Sequence, residues 1–157
     1  MVKGNTKKQM GLILALTFLT NFFMAMGYIV NGTGINGAVS CILGCVISVI
    51  NFYFRINSKP IPKFMLILYF AGFLIINILS GKVFILTVIA ILATFAFVIG
   101  LAKKDGKGFR IWKIINNLLW GVYDIVSKSF NSLLLHTAII LFTLLGSLIF
   151  DVKKDSK

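Results

Sequence analysis

The sequence predicts an all-α fold, a polytopic membrane bundle of about six transmembrane helices, and three observations carry that prediction. The mean hydropathy is +0.98 and 59% of the 157 residues are hydrophobic, which leaves too little polar surface to coat a soluble globule. The apolar residues form continuous runs; in lipid such runs satisfy their own backbone groups as helices, whereas a barrel would need short alternating strands. Finally, 16 basic residues stand against four acidic ones, and the basic residues gather at every second gap between the runs.

A hydrocarbon layer of about 30 Å needs about 20 helical residues, and the runs fit at 10–30, 35–54, 64–79, 83–101, 111–127 and 132–150. The first follows Lys7-Lys8 but is too long for a secretory leader and has no small-x-small cleavage site, so it is expected to be retained. The second carries Gly37, Ser40, Cys41, Gly44, Cys45 and Ser48 at one-turn spacing, a small face that lets a neighbouring helix approach closely. Two cysteines on adjacent turns of one helix make a poor disulfide, and no further ligands converge on them to hold a metal. The third run is the shortest and spans by using Lys63 as a snorkelling end and Ser80 from the turn. Pro60 and Pro62 lie in the loop before it, so no proline interrupts a helix. The fourth run follows the tight turn Ser80–Lys82, and the sixth follows Lys128–Asn131. At the start of the fifth, Trp112 sits between Arg110 and Lys113 and reads as an interface anchor.

The charge clusters set the topology. Lys3, Lys7 and Lys8 precede the first run; Arg55, Lys59 and Lys63 lie between the second and third. Lys103, Lys104, Lys107, Arg110 and Lys113 lie between the fourth and fifth, and Lys153, Lys154 and Lys157 follow the sixth. The other three connections hold only Lys82 and Lys128. Basic loop residues stay on the cytoplasmic side, so both termini are expected there, with the whole chain 1–157 one integral-membrane domain. The lipid bilayer is the expected partner of these charges. Nucleic acid is not, because no soluble basic domain exists to bind it. Asn31-Gly-Thr33 matches a glycosylation sequon but reads as a polar turn close to the membrane.

A weak internal repeat appears at an offset of 95 residues. It sets Asn21 on Asn116, Tyr28 on Tyr123, Asn36 on Asn131 and Lys8 on Lys103. Both copies would cross in the same direction, as in parallel-repeat transporters. The second copy would comprise helices 4 to 6, and the first would be one helix short. A homodimer, a partner subunit or a start codon placed too late would each complete it.

Polar residues inside the runs are the candidates for function. Asn21, Asn116 and Asn117 are amides near mid-helix, and Trp120 lies one turn beyond Asn116 on the same face. Two readings apply: interhelical hydrogen bonds that fix packing, or a central pocket in which amide and indole hold a small polar solute. Asp124 is the one acid inside a run and His136 the one histidine. Asp124 reads first as a partly exposed helical ion pair with Lys128, four residues on; the sharper reading pairs it with His136 on the next helix as a proton or polar relay. Enzyme chemistry is not expected: there is no acidic pair, no Ser-His-Asp arrangement and no metal site, and Lys104-Asp-Gly-Lys-Gly108 lacks the context of a phosphate loop. No cofactor is implied.

The stretch from Asn31 through Gly44 to Asn51-Phe-Tyr-Phe-Arg55, with Asn117-Leu-Leu-Trp120-Gly-Val-Tyr123-Asp-Ile-Val-Ser127, resembles the YgjV-like bacterial inner-membrane proteins. That family looks distantly similar to the sugar-carrying SWEET and SemiSWEET proteins, the PQ-loop proteins and the nicotinamide riboside transporters. The resemblance implies triple-helix bundles, alternating access, and a pocket lined by Asn and Trp, here Asn21, Asn116, Asn117 and Trp120. The Pro-Gln pair of the PQ-loop relatives is absent from every run. The alternative class is a non-transporting accessory, immunity or scaffold subunit.

Overall fold

The computed structural model describes residues 2–32, 34–57, 59–103 and 106–150. Six helices follow in chain order: α1 (Val2–Asn31), α2 (Ile35–Ile56), α3 (Lys63–Ser80), α4 (Phe84–Ala102), α5 (Gly106–Ser127) and α6 (Phe130–Phe150). Thr33, Lys104, Lys153, Lys154 and Lys157 lie outside the described residues. Four helices start and end within two residues of the apolar runs. The other two, α1 and α5, begin earlier, at Val2 and Gly106, inside segments the hydropathy pattern assigned to polar flanks. A helix closes its own backbone hydrogen bonds whatever its side chains, so it can extend past the apolar run into the headgroup region.

The chain divides into two compact units, Met1–Ser80 and Gly81–Lys157. In the first, α2 packs against both α1 and α3. The small face of α2 meets α1 along an antiparallel seam. Gly37 lies under the ring of Tyr28, Gly44 under the amide of Asn21, and the Cys45 thiol is 3.6 Å from the carbonyl oxygen of Phe18. Both cysteines are free, as their spacing requires. On its other side α2 meets α3 through polar groups. Ser40 Oγ donates to Asn77 Oδ1 at 3.2 Å, Asn36 Nδ2 reaches the Asn77 carbonyl at 3.4 Å, and the Tyr69 hydroxyl donates to Asn51 Oδ1 at 3.1 Å. Asn77 Nδ2 in turn donates to the Phe73 carbonyl at 2.8 Å.

In the second unit α5 packs against both α4 and α6. The face of α4 toward α5 is built from small residues, with Ala90, Ala93 and Ala96 buried, and Gly100 close to Trp112 Cβ. At the same end the ammonium of Lys103 stands 5.9 Å from the centre of the Trp112 ring, and that of Lys113 5.8 Å from the Phe97 ring. These cation–aromatic contacts tie the basic flank to the ends of α4 and α5. Trp112 thus takes part in the crossing of α4 and α5.

Polarity runs inside out. Leu79 is 81% exposed while Asn77, two residues earlier, is 0% exposed; Phe142 is 73% exposed while Asp124 is fully buried. Apolar groups facing outward and amides facing inward are what a hydrocarbon solvent selects. Five helical segments are long and apolar enough to cross a membrane: Ile13–Asn31, Ile35–Phe54, Lys63–Ser80, Phe84–Ala102 and Phe130–Leu148. The exception, α5, has 22 residues, roughly 33 Å of helix, so its length suffices. Its hydropathy is lowered by the basic residues Lys107, Arg110 and Lys113 near its start, together with Asn116, Asn117 and Asp124.

Candidate functional site: the buried face of α5

The buried residues of α5 are Phe109, Asn116, Asn117, Trp120, Tyr123 and Asp124. Their spacing of three, four and seven traces one stripe of a helix. Ile111, Leu118, Val122, Ile125 and Val126 are exposed on the remaining surface. The amphipathicity is therefore reversed relative to a soluble helix: the polar and aromatic stripe is the protein-facing side. Along the stripe the chemistry changes from amides to aromatics to a carboxylate.

The amides fasten the helix. Asn116 Nδ2 donates to the Ala93 carbonyl of α4 at 2.8 Å, and the absence of a side chain beyond Cβ at Ala93 gives it access to that oxygen. Asn117 Nδ2 donates to the Lys113 carbonyl of its own helix at 2.6 Å. Asn21 lies in the first unit, half-buried, with its amide against Gly44. Of the four residues expected to line a pocket, the structure thus gathers Asn116, Asn117 and Trp120 on one helix and gives Asn21 a packing partner on α2. Of the pairs aligned by the 95-residue offset, Tyr28 and Tyr123 are both buried, whereas Asn36 is buried and Asn131 exposed.

One turn beyond the amides, Trp120 and Tyr123 meet edge to face with ring centroids 5.1 Å apart. The other neighbour of Trp120 is His136 of α6: the two rings are parallel within 5° and 6.2 Å apart. His136 Nδ1 lies 2.6 Å from Asp124 Oδ2, and the side chains are 5% and 0% exposed. When the carboxylate is ionised, Nδ1 must carry the hydrogen and donate it. The reading of Asp124 as a partly exposed partner of Lys128 is corrected: the residue is fully buried. The helix ends at Ser127, and Lys128 adopts the left-handed conformation with φ 59°. Ser129 N then bonds to Asp124 O at 2.8 Å and Lys128 N to Ile125 O at 3.2 Å, the Schellman pattern. That turn carries the Lys128 side chain off the helical i+4 position and leaves it exposed. The same turn places α6 so that His136 reaches the carboxylate.

Two serines complete the cluster. Ser129, 1% exposed, shares a hydrogen bond with Ser127 at 3.0 Å. Ser132 lies one turn before His136 on α6, is 0% exposed, and its hydroxyl has no hydrogen-bond partner among the described residues. Sequence reasoning passed over the amide hub Asn77 in the first unit. The signal for Asn77 was present as Tyr69, Phe73 and Asn77 at exact four-residue spacing, one face of one helix. Among the described residues no group of three or more His, Cys, Asp or Glu side chains is placed to hold a metal ion.

Outward apolar surfaces, six long helices and a polar stripe sealed between α4, α5 and α6 define a polytopic helical membrane protein. The chain matches the family model described as bacterial inner membrane protein, Imp-YgjV, over residues 4–154, and it belongs to that family of inner-membrane proteins. No curated protein and no solved structure matches it.

Proposed function

We propose that the protein is a carrier of small polar solutes, working by alternating access, with the aromatic and ionisable end of the α5 stripe as its binding region. The observation that supports this is the Asp124–His136 pair, fully buried between two membrane helices. Ionisable groups at such positions are costly, several kcal/mol per unpaired ion in effective terms, and where they occur in membrane proteins they mark substrate or ion pathways. The Trp120 indole supplies a flat surface for stacking, and His136 and Ser132 supply hydrogen-bonding groups. The amide donors of Asn116 and Asn117 are already used within the protein, so their share is to hold α5 in place beneath the site.

The test is ligand-dependent thermal stabilisation of the purified full chain with glucose, uridine and riboflavin as probes of the sugar, nucleoside and vitamin classes. At least one is expected to raise the melting temperature, and Trp120→Ala to abolish the rise. A shift that survives Trp120→Ala would remove the site from α5. The engaged amides favour a second reading, a membrane subunit whose polar groups only fix packing. It predicts no stabilisation by any probe.

In the proposed orientation both termini are cytoplasmic. A reporter inserted at Thr33 should be active in the periplasm and one at Gly106 in the cytoplasm; the opposite pattern would overturn the assignment made from the lysines.

A further inference from the structure

We propose that the basic end of α4 and α5 is a binding site for the headgroup of an anionic phospholipid. The site lies apart from the aromatic and ionisable end of the α5 stripe and does not depend on the carrier reading. The chain from Lys103 to Lys113 holds five basic residues against one acid, Asp105. Lys103 directly follows α4, while Lys107, Arg110 and Lys113 lie in the first two turns of α5.

The cations at this end are held in place. The Lys103 ammonium, from the α4 side, reaches the Trp112 ring of α5 at 5.9 Å, and the Lys113 ammonium, from α5, reaches the Phe97 ring of α4 at 5.8 Å. The two contacts cross one seam in opposite directions and leave both charges beside it. Arg110 is three residues before Lys113 and so its neighbour on the helix surface. Its guanidinium folds back over Gly106, where Nη1 would lie 3.2 Å from an added Cβ. Lys103, Arg110 and Lys113 are half-buried, whereas Lys107 is exposed. With their stems packed on protein, these three lose less side-chain entropy when an anion arrives. An ammonium carries three donors and a guanidinium five, so one contact within the protein does not use them up.

The chemistry that fits these groups is a phosphate, and depth selects lipid as its source. Trp112 lies between Arg110 and Lys113 at the start of the apolar run, the position at which aromatic side chains sit at headgroup level. From Lys107 to Lys113 the helix axis advances roughly 9 Å, comparable with a headgroup layer of about 5–8 Å on each side of the hydrocarbon. A lipid phosphate is already at that depth. A zwitterionic headgroup brings its own cation, which these residues repel, so the anionic headgroup is preferred. In the first unit Lys59 and Lys63 are both exposed, which makes them a control of equal charge without a held arrangement.

The test uses the full chain in vesicles of phosphatidylcholine and phosphatidylglycerol in fixed proportion, with one lipid or the other brominated on its acyl chains, and reads quenching of tryptophan fluorescence. Of the two tryptophans, Trp120 is 6% exposed and Trp112 is half-buried at the site, so Trp112 is the one that meets lipid. Brominated phosphatidylglycerol should quench more strongly than phosphatidylcholine at equal fraction, corresponding to a preference of about tenfold. Equal quenching by the two lipids overturns the proposal, and this comparison needs no variant. Arg110→Gln with Lys113→Gln should remove most of the preference, whereas Lys59→Gln with Lys63→Gln, the same loss of charge, should leave it within about twofold. Equal losses from the two pairs also overturn the site, because attraction would then follow net charge alone. Inorganic phosphate, compared with chloride at matched ionic strength, separates the sources. No relief of quenching beyond that of chloride is expected; relief by phosphate alone would make the ligand a soluble anion and overturn the assignment to lipid.

Discussion

Replacing His136 with leucine should destabilise the protein by about 3–5 kcal/mol, because it removes one member of a buried ion pair and leaves the other's charge in place. Replacing Asp124 with leucine should cost less, about 1–3 kcal/mol, since an imidazole can shed its charge and leaves only an unsatisfied polar group. The double replacement should return most of the loss, because two apolar side chains of similar volume fit a site that is already closed to solvent, with side chains 5% and 0% exposed. The measurement is a double-mutant cycle on reversible unfolding in mixed detergent micelles. Additive losses would mean that the 2.6 Å contact contributes no coupling. The cycle also separates stability from function. A double variant that is folded and near wild type in stability, yet no longer stabilised by a solute that stabilises the parent, would show that the pair is retained for what it does. If the double variant binds that solute normally, the pair is a packing device.

Six helices could be read from the sequence because hydrocarbon imposes one rule on every span, and a run of about 20 apolar residues has few alternatives. The small face of α2 was legible for a related reason: Gly37, Gly44 and Cys45 repeat at helical spacing, and close packing is the main use of such a face in lipid. Partner choice was less accessible. Asp124 has a lysine four residues on, which in an uninterrupted helix would be its neighbour. The outcome instead depended on one backbone angle at Lys128, where a non-glycine residue takes the left-handed conformation, and neighbouring side chains gave no sign of it. His136 followed from that turn, and was visible only as a second possibility twelve residues away. The hub at Asn77 was hidden differently. A lone amide inside Ile75–Leu79 carries little contrast in hydropathy, and its partners Asn36 and Ser40 are some forty residues distant in the chain. The length of α5 was understated because an apolar run marks the stretch that lipid requires, whereas the helix is set by backbone hydrogen bonding and continues to Gly106.

A series of glycine replacements should show how closely α1 and α2 approach. At Gly37 an added methyl would lie 2.7 Å from Tyr28 Cε2 and 2.8 Å from Cζ. Tyr28 is 1% exposed, so its ring has no room to retreat, and the helices must separate. Gly37→Ala is expected to cost about 1–3 kcal/mol, the usual range for overpacking. At Gly44 the methyl would lie 2.6 Å from Asn21 Nδ2, a still shorter approach. Yet that atom ends a rotatable side chain that is only half-buried, so it can swing aside and the penalty should be smaller than at Gly37. Gly146 is the reference position: nothing lies within 4 Å of a Cβ there, and it is inside α6. Gly146→Ala should therefore be stabilising by about 0.5–1 kcal/mol, through the lower backbone entropy of alanine in a helix. Unfolding of the three variants in the same micelles gives the order directly. Because Gly37 and Gly44 have almost equal nominal clashes, their difference isolates what the neighbouring side chain can do. Equal losses at the two positions would show that backbone spacing between α1 and α2 sets the cost, and that the confinement of Tyr28 does not.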